Sequence, residues 1–368
     1  MPNRVMRLWD NPEALRGFST GVSLHSHTRH SRESFGFFAL LARNSWKNDA
    51  AGAQRELPAP YWTPPLTAEA AYQLERSQIE DGLDLAAIVS LTDHDNIEAP
   101  LLLSSKAAPV PISVEWTVPY RHIVLHFGVH NLPGHDAVAL RGRMQAYSRD
   151  PSQPTLASLL AALSESPDTL VVLNHPLWRA SRLFHRCSRE DFLRRYRPFV
   201  HALEINASRT WEENQAVLEL ARAWSRPVVS GGDRHGREAN AAVNLTRAGT
   251  MAEFVHEVRR EGRSQVLLMP QYRKPLQLRI LRTVLDAIQD YPAHPLGRYW
   301  DNRVFLPDRS GALRPLSALW DRPPLLVKAT FSALPRLEEN AVRWSRWLAG
   351  NTEPGSRPLP LPTGGQTA

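Results

Sequence analysis

Histidine and acidic side chains recur through the first two thirds of this 368-residue sequence, each time within or directly after an apolar run. The pattern places these residues in successive segments: His25 and His27, His94, Glu115, His126, His175, and Asp233 with His235. Neutral imidazoles and carboxylates are good ligands for divalent ions, and a cluster of ions also needs carboxylates to offset the repulsion between them. The pattern therefore indicates a site for more than one divalent ion.

Each residue taken alone also fits a structural role. His25 and His27, two positions apart, present their rings on the same side of an extended backbone, but two surface histidines have this spacing too. His94 is equally consistent with a turn, Glu115 with an ion pair, and His175 with a hydrogen-bonding role before a proline. Ligation is favoured by their joint position, because such residues are scarce in the intervening helical stretches.

The segments that carry these residues alternate between two kinds of pattern. Apolar runs such as "TLVVLN" and "PVVSG" alternate with helical stretches such as "TLASLLAALSES" and "WEENQAVLELARAWS". A further helix is expected at "LTAEAAYQLERSQIEDG", with Thr67 as its N-cap and Gly82 as its end. Such alternation predicts βαβ units in a mostly parallel sheet, and the carboxyl ends of parallel barrel strands converge on one face.

The composition narrows the function classes. The formal net charge of +7 comes from arginines spread along the chain rather than from a basic stripe, so nucleic-acid binding is not favoured. Cys187 is the only cysteine, which excludes an intrachain disulfide and a cysteine-based zinc site. We find no signal peptide and no span long enough to cross a bilayer, so a cytoplasmic protein without membrane contact is expected.

Composition also predicts how the chain is divided. We expect a barrel domain over residues 18–240 with an insertion at about 35–65, where Ala, Gly and Pro are frequent. From residue 241 the character changes to amphipathic helices, which predicts a helical extension over 241–350. The tail at 351–368 is rich in Pro, Gly and Thr and is expected to be disordered.

Six of these motifs, taken in order, resemble those of the PHP (polymerase and histidinol phosphatase) family. They are "LHSHT", "LTDHD", "VEWT" followed by "LHFGV", "LNHP" and "SGGDRH", and the resemblance covers roughly residues 18–240. It implies an α/β fold, namely a distorted (β/α)7 barrel, here with an added helical C-terminal segment. It also implies a metal-dependent phosphoesterase that attacks a phosphate ester with a metal-activated hydroxide at a two- or three-metal site.

The resemblance also implies a ligand set. The matching positions are His25, His27, His94, Glu115, His126, His175, Asp233 and His235, with His122 as a rival for His126. Family members often carry an aspartate ligand where this sequence has Arg32, and some use a histidine one position later, which falls on Glu33. We therefore expect Glu33 to serve as the substitute ligand.

Within this assignment, His175, His235 and Asp233 are the expected catalytic residues, and Arg179 and Arg234 are candidates for gripping phosphate through planar forks. A ligand set of histidine and carboxylate permits zinc, manganese or iron. The expected partner is a phosphorylated small molecule. Two alternatives stay open at this point: a metal-dependent hydrolase of a C–N or carboxylic ester bond, and a non-catalytic scaffold or binding module.

Overall fold

The computed structural model describes most of the chain up to residue 320. The described residues are 3–34, 58–105, 110–177, 186–287, 289–291, 294–308 and 310–320. Most of the expected insertion and the whole of the expected disordered tail lie outside these ranges.

Fourteen strands lie within the described residues: β1 Asn3–Arg7, β2 Thr20–Leu24, β3 Glu33–Ser34, β4 Tyr61–Trp62, β5 Ala86–Ser90, β6 Val114–Tyr120, β7 Ile123–His130, β8 Leu170–Asn174, β9 Ala202–Asn206, β10 Val228–Gly231, β11 Ala242–Thr246, β12 Ser264–Leu268, β13 Val304–Pro307 and β14 Leu313–Pro315. The α-helices of the same ranges are α1 Ala68–Leu83, α2 Glu98–Ser104, α3 Ala137–Arg149, α4 Gln153–Glu165, α5 Arg186–Tyr196, α6 Trp211–Trp224, α7 Met251–Arg259, α8 Leu276–Ala287 and α9 Leu316–Leu319. The protein is therefore a mixed α/β protein.

The strands form three sheets. The first has the order β1-β12-β11-β2-β5, the second β10-β9-β8-β7-β6, and the third β14-β13-β4-β3. Strand pairing within the described residues closes none of them into a barrel. The first and second sheets meet at two isolated bridges, Ser26 with Arg234 and His94 with Glu115.

The expectation of a mostly parallel arrangement is met only in part. β2 and β5 pair in parallel, as do β8, β9 and β10, but β7 runs antiparallel to both β6 and β8. The reason is local. Only Arg121 and His122 separate β6 from β7, and Arg121 has a φ of 54°, so the two strands form a tight hairpin, which can only be antiparallel.

Local sequence accounts for the helices that pack on these sheets. In α4 the leucines at 156, 159, 160 and 163 follow the helical period and are all buried. Thr67 caps α1 as predicted, its side chain accepting a hydrogen bond from Ala70 N, and the helix ends at Leu83, one residue beyond the predicted Gly82. Helix α6 begins with a capping box between Thr210 and Glu213.

The range 241–350 contains more than helices. Its described part includes the helices α7 and α8, but β11 and β12 also come from this range and join the first sheet beside β2 and β1. Both strands are almost wholly buried, so they belong to the core. The division into a barrel domain and a helical extension stays a prediction. No helix in the described ranges combines the length and the apolar character needed to cross a bilayer.

We expect the free energy of unfolding to depend on pH through the buried side chain of His201. It is 7% exposed, and its Nδ1 accepts a hydrogen bond from Val171 N at 2.9 Å. Burial, with the charge of Arg259, lowers its pKa to about 3. The unfolded chain therefore binds the proton first as the pH falls below the ordinary value of about 6.5. We expect this one group to cost about 2 kcal/mol of the free energy of unfolding between pH 7 and pH 5.

Urea unfolding at both pH values tests this expectation. The variant His201→Gln keeps an acceptor for Val171 N but cannot ionise, so its loss of stability between pH 7 and pH 5 should be smaller than that of the wild type. His135→Gln is the control, because the side chain of His135 is 81% exposed. An equal pH dependence in all three proteins would contradict the assignment.

Candidate metal centre

The predicted site residues converge where the two five-stranded sheets meet. His25 and His27 follow β2, His94 follows β5, and His175 follows β8 directly. Three residues at these strand ends have positive φ: His25 at 66°, His175 at 28° and Asp233 at 50°. Such backbone strain persists only where the surrounding structure holds it, and it concentrates at functional sites.

Glu115 lies at the centre of the cluster. It projects from β6 and is fully buried. Five imidazole nitrogens lie near its carboxylate oxygens: His25 Nε2 at 3.0 Å, His27 Nε2 at 3.3 Å, His94 Nε2 at 3.3 Å, His126 Nδ1 at 3.4 Å and His175 Nε2 at 3.3 Å. Asn174 Nδ2 also donates to Oε1 at 2.9 Å. The residues that surround this carboxylate therefore come from four strands or strand ends, those of β2, β5, β7 and β8.

Glu33 forms a second acidic point in the cluster. Its Oε2 lies 3.0 Å from His235 Nε2 and 3.4 Å from His94 Nε2, and Oε1 accepts a hydrogen bond from Ser31 Oγ at 2.5 Å. Short strand β3 pairs with β4 and carries this side chain into the cluster. The structure thus places Glu33 beside two other predicted ligands, His235 and His94.

The side chains form three overlapping groups that could each hold a metal ion. Within each group the ligand atoms lie within 4.8 Å of one another, and the groups are His27, Glu33, His94 and His235; His25, His27 and Glu115; His94, Glu115 and His126. Three of the buried ligand atoms, His25 Nε2, His27 Nε2 and Glu115 Oε2, meet no partner in hydrogen-bond geometry among the described residues. Buried polar atoms without a partner are costly, so this donor set fits divalent ions.

Two of the predicted ligands border these groups without belonging to them. Asp233 Oδ1 lies 3.7 Å from both His25 Nε2 and His27 Nε2, while its Oδ2 pairs with Arg209 Nη2 at 3.1 Å. His175 contacts Glu115, as described above. His126, and not its rival His122, is the histidine that the structure brings to Glu115.

The ionisation of the cluster follows from its packing. Burial by itself raises the pKa of a carboxyl, yet the pKa values of Glu115 and Glu33 are held well below their usual range by the surrounding imidazoles. Burial likewise opposes the charged form of His94, but Glu115 and Glu33 raise its pKa to about 10. Burial, together with the charge of His235, lowers the pKa of His27 to about 4. Both carboxylates are therefore ionised at neutral pH, and His27 is neutral.

Glu204 is a residue of the site that the predicted ligand set missed. Its Oε1 lies 2.5 Å from His25 Nδ1, and its Oε2 accepts hydrogen bonds from His175 N at 2.8 Å and Asn206 Nδ2 at 2.9 Å. A proton held on His25 Nδ1 leaves Nε2 free to face the cluster, which is the usual second-layer arrangement around a metal-binding histidine. The signal available in the sequence was a single acid inside the apolar strand "ALEIN".

Asp93 is a second missed residue. It is fully buried and accepts hydrogen bonds from Thr28 N at 2.5 Å and Thr28 Oγ1 at 2.7 Å. Burial raises its pKa to about 6. These bonds tie the loop that carries His94 to the loop that carries His27.

The two arginines expected to bind phosphate have different outcomes. Arg179 lies outside the described residues. Arg234 is 6% exposed, and its Nε donates to Glu75 Oε1 at 2.5 Å while Nη1 donates to Gly236 O at 2.6 Å. The phosphate-binding role of Arg234 stays a prediction: its guanidinium is engaged in a buried ion pair with Glu75 of α1, and Arg234 is not among the described residues that line the neighbouring cavity.

A cavity of about 500 Å³ opens onto the cluster. Its polar side includes Glu33, His94, His126, His175, Arg209, Asp233 and His235. Its other side is formed mainly by apolar residues of β7 and α8, with Trp62 and Pro176. The size lies within the range usual for small-molecule sites.

Comparisons with known proteins give only distant similarity. No protein-family model and no curated protein matches the chain. Three similar solved structures are PsfC from Pseudomonas syringae PB-5123, at 17% identity and a TM-score of 0.46 over 72% of this chain and 98% of that one; an inferred metal-dependent phosphoesterase from Bifidobacterium adolescentis, at 14% and 0.35 over 65% and 96%; and an amidohydrolase from Chromobacterium violaceum with bound sulfate and no metal, at 14% and 0.33 over 58% and 87%. At these values the similarity assigns no family and no activity to this chain.

Gly231, the last residue of β10, packs closely against the Glu204 carboxylate that orients His25. A Cβ at this position would overlap the carboxylate of Glu204 and stand 3.0 Å from His25 Cβ. We expect Gly231→Ala to lower the free energy of unfolding by about 1–3 kcal/mol through overpacking. Urea denaturation measures the change.

Gly142 in α3 provides the control, because a Cβ built there meets nothing within 4 Å. Gly142→Ala should be neutral or stabilising by up to about 1 kcal/mol, since alanine favours a helix interior. Equal stability of the two variants would show that Glu204 moves aside without cost.

Proposed function

We propose that this protein is a metal-dependent phosphoesterase with two or three divalent ions, zinc, manganese or iron, at the candidate centre. The observation that carries the proposal is the overlap of three ligand groups on shared residues: Glu115, His27 and His94 each belong to two groups. Shared ligands bring ions close together, and paired ions are suited to in-line displacement at phosphorus.

The proposed ligands are the residues of the three groups other than His235, together with Asp233 and His175, which border them. Bound ions would supply Lewis-acid polarisation of the phosphoryl oxygens and a water of lowered pKa. The protein's own contribution is orientation. Glu204 holds the tautomer of His25, and the loop bonds between Asp93 and Thr28 keep His27 and His94 in place.

Arg209 favours a phosphate ester over a C–N or carboxylic ester substrate. It follows β9, lines the cavity, and lies against Asp233 Oδ2 at 3.1 Å. A guanidinium offers planar donors that match the oxygens of a phosphoryl group. Its position in the cavity suits it better than Arg234 for the phosphate-binding role.

We assign proton donation to the leaving oxygen to His235 rather than His175. Burial opposes the charged form of both rings, but Glu33 outweighs it at His235 and raises its pKa, whereas the pKa of His175 stays lowered. A histidine that coordinates an ion cannot donate this proton. Without His235, the ligand group at Glu33 would consist of Glu33, His27 and His94.

We also propose that the strands around the centre form the distorted seven-stranded barrel that the motifs imply. β2 pairs with β5, and β6 to β10 pair in order. The bridges of His94 with Glu115 and of Ser26 with Arg234 supply the two remaining links of a circuit. The strands β1, β11 and β12 would extend the sheet outside this circuit.

A metal and substrate screen tests the proposed function. The protein, loaded with Mn²⁺ or Zn²⁺, should release phosphate or alcohol from a panel of phosphate monoesters and diesters and leave amides and carboxylic esters intact. His27→Ala and Asp233→Ala should lower kcat/KM by at least about a thousandfold, because each removes a proposed ligand. His135→Ala, remote and exposed, should keep full activity.

Circular dichroism of each variant separates loss of chemistry from loss of fold. Cleavage of amides alone would replace the proposal with the C–N hydrolase alternative. A purified protein that binds no divalent ion in equilibrium dialysis would favour the non-catalytic scaffold.

A second prediction concerns metal affinity. Glu204→Gln removes the charge that orients His25, and we expect affinity for Zn²⁺ to fall about 10- to 100-fold. Competition with a chromophoric chelator measures this change. Glu98→Gln is a matched control, because Glu98 also pairs with a histidine, His30 Nδ1 at 2.8 Å, but its side chain is 66% exposed. Equal Zn²⁺ affinity of the two variants would show that Glu204 does not contribute to metal binding.

A further inference from the structure

One side of the cavity is apolar and open to solvent. In β7, side chains two residues apart share a face, so Val124 lies on the same face as His126, while Ile123 and Leu125 point into the core. Val124 is 54% exposed. A large apolar side chain is therefore presented to the cavity beside one of the proposed ligands.

Helix α8 supplies the other apolar surface of the same cavity. Ile280 and Thr283, three positions apart and on one helix face, both line the cavity, and Ile280 is 51% exposed. The neighbouring Arg279 donates to the carbonyl oxygens of Ala207 and Arg209 and stacks at 4.7 Å from the Tyr272 ring. The helix face is thus held next to the segment that carries Arg209.

The charge of the cavity lining limits what can bind there. Of the described residues that line it, Arg209 is the only arginine or lysine, and Glu33 and Asp233 are carboxylates. One phosphoryl group can be matched by Arg209 and by bound ions, but a second anionic group would lie against apolar or acidic side chains. The described part of the lining therefore disfavours nucleoside diphosphates, nucleic-acid strands and phosphorylated acids.

We propose that the substrate is a small phosphate ester whose organic part is apolar and uncharged, packed between Val124 and Ile280 with the phosphoryl group at the metal centre. This inference rests on the proposed function and names its substrate class. A cavity of about 500 Å³ is large enough to hold an ester of this size. Desolvation of the two exposed side chains provides the selectivity.

Turnover of a homologous series tests the proposal. The n-alkyl phosphates from methyl to hexyl have alcohol leaving groups of similar acidity, so differences in kcat/KM report on the chain. We expect kcat/KM to rise at least about tenfold from methyl to hexyl phosphate. Glycerol 1-phosphate should be a poorer substrate than propyl phosphate, because its hydroxyls replace apolar contact. A rate that is independent of chain length would overturn the inference.

Serine variants test whether Val124 and Ile280 cause the preference for longer alkyl chains. Val124→Ser and Ile280→Ser should each lower the hexyl-to-methyl ratio of kcat/KM by about fivefold to tenfold. Val138→Ser is the control, because Val138 in α3 is 66% exposed but does not line the cavity. The same ratio in all three variants would also overturn the inference.

Binding of n-alkylphosphonates, which cannot be hydrolysed at the C–P bond, separates this inference from the proposed function. Calorimetry of the metal-loaded protein should show at least about tenfold tighter binding of hexylphosphonate than of methylphosphonate. Tighter binding without cleavage of any phosphate ester would refute the phosphoesterase proposal and support the apolar surface. Cleavage of phosphate esters together with equal affinity for hexylphosphonate and methylphosphonate would support the phosphoesterase proposal and refute the apolar surface.

Discussion

The carboxylate of Glu115 is fully buried, and an isolated buried charge costs more free energy than a folded domain has to spare. Five imidazoles from four strands or strand ends surround it, so their positions are coupled through this one group. Removing one partner of such a cluster leaves the rest uncompensated. The loops that carry these histidines are therefore constrained by electrostatics as well as by strand pairing, which explains how strained backbone can persist there.

Three buried acidic residues outside the proposed ligand set hold the ligand-bearing loops in place. Glu204 orients His25, Asp93 joins the loops of β2 and β5, and Glu75 of α1 accepts hydrogen bonds from Ser26 and Arg234. The hydrogen bonds from Ser26 and Arg234 to Glu75 join the loops that follow β2 and β10. Ser26 and Arg234 also form one of the two bridges between the sheets. The same contacts that position the proposed ligands therefore also hold the two sheets together at the site.

The cavity joins two chemically different surfaces. Its floor carries ligand atoms and Arg209, which suit a phosphoryl group, and its wall between Val124 and Ile280 offers apolar contact. The antiparallel hairpin of β6 and β7 produces this arrangement, because it places Glu115 and His126 in adjacent strands and Val124 beside the mouth. The feature that departs from the expected parallel sheet is thus the one that contributes the proposed specificity surface.

The sequence by itself determined the features that depend on near neighbours along the chain. Apolar runs followed by histidine or acid located the ends of β2, β5, β8 and β10, whereas Glu115 and His126 lie inside β6 and β7. Helical periodicity located α1, α4, α7 and α8, with a predicted N-cap for α1. The tertiary structure alone decided which of these groups meet. Glu204 reaches His25 across 179 residues and Arg234 reaches Glu75 across 159, and no local pattern encodes such pairs. Strand register and long-range packing set those distances, so the overlap of ligand groups on Glu115, the pairing of Arg234 with Glu75 and the position of Arg209 in the cavity required the folded chain.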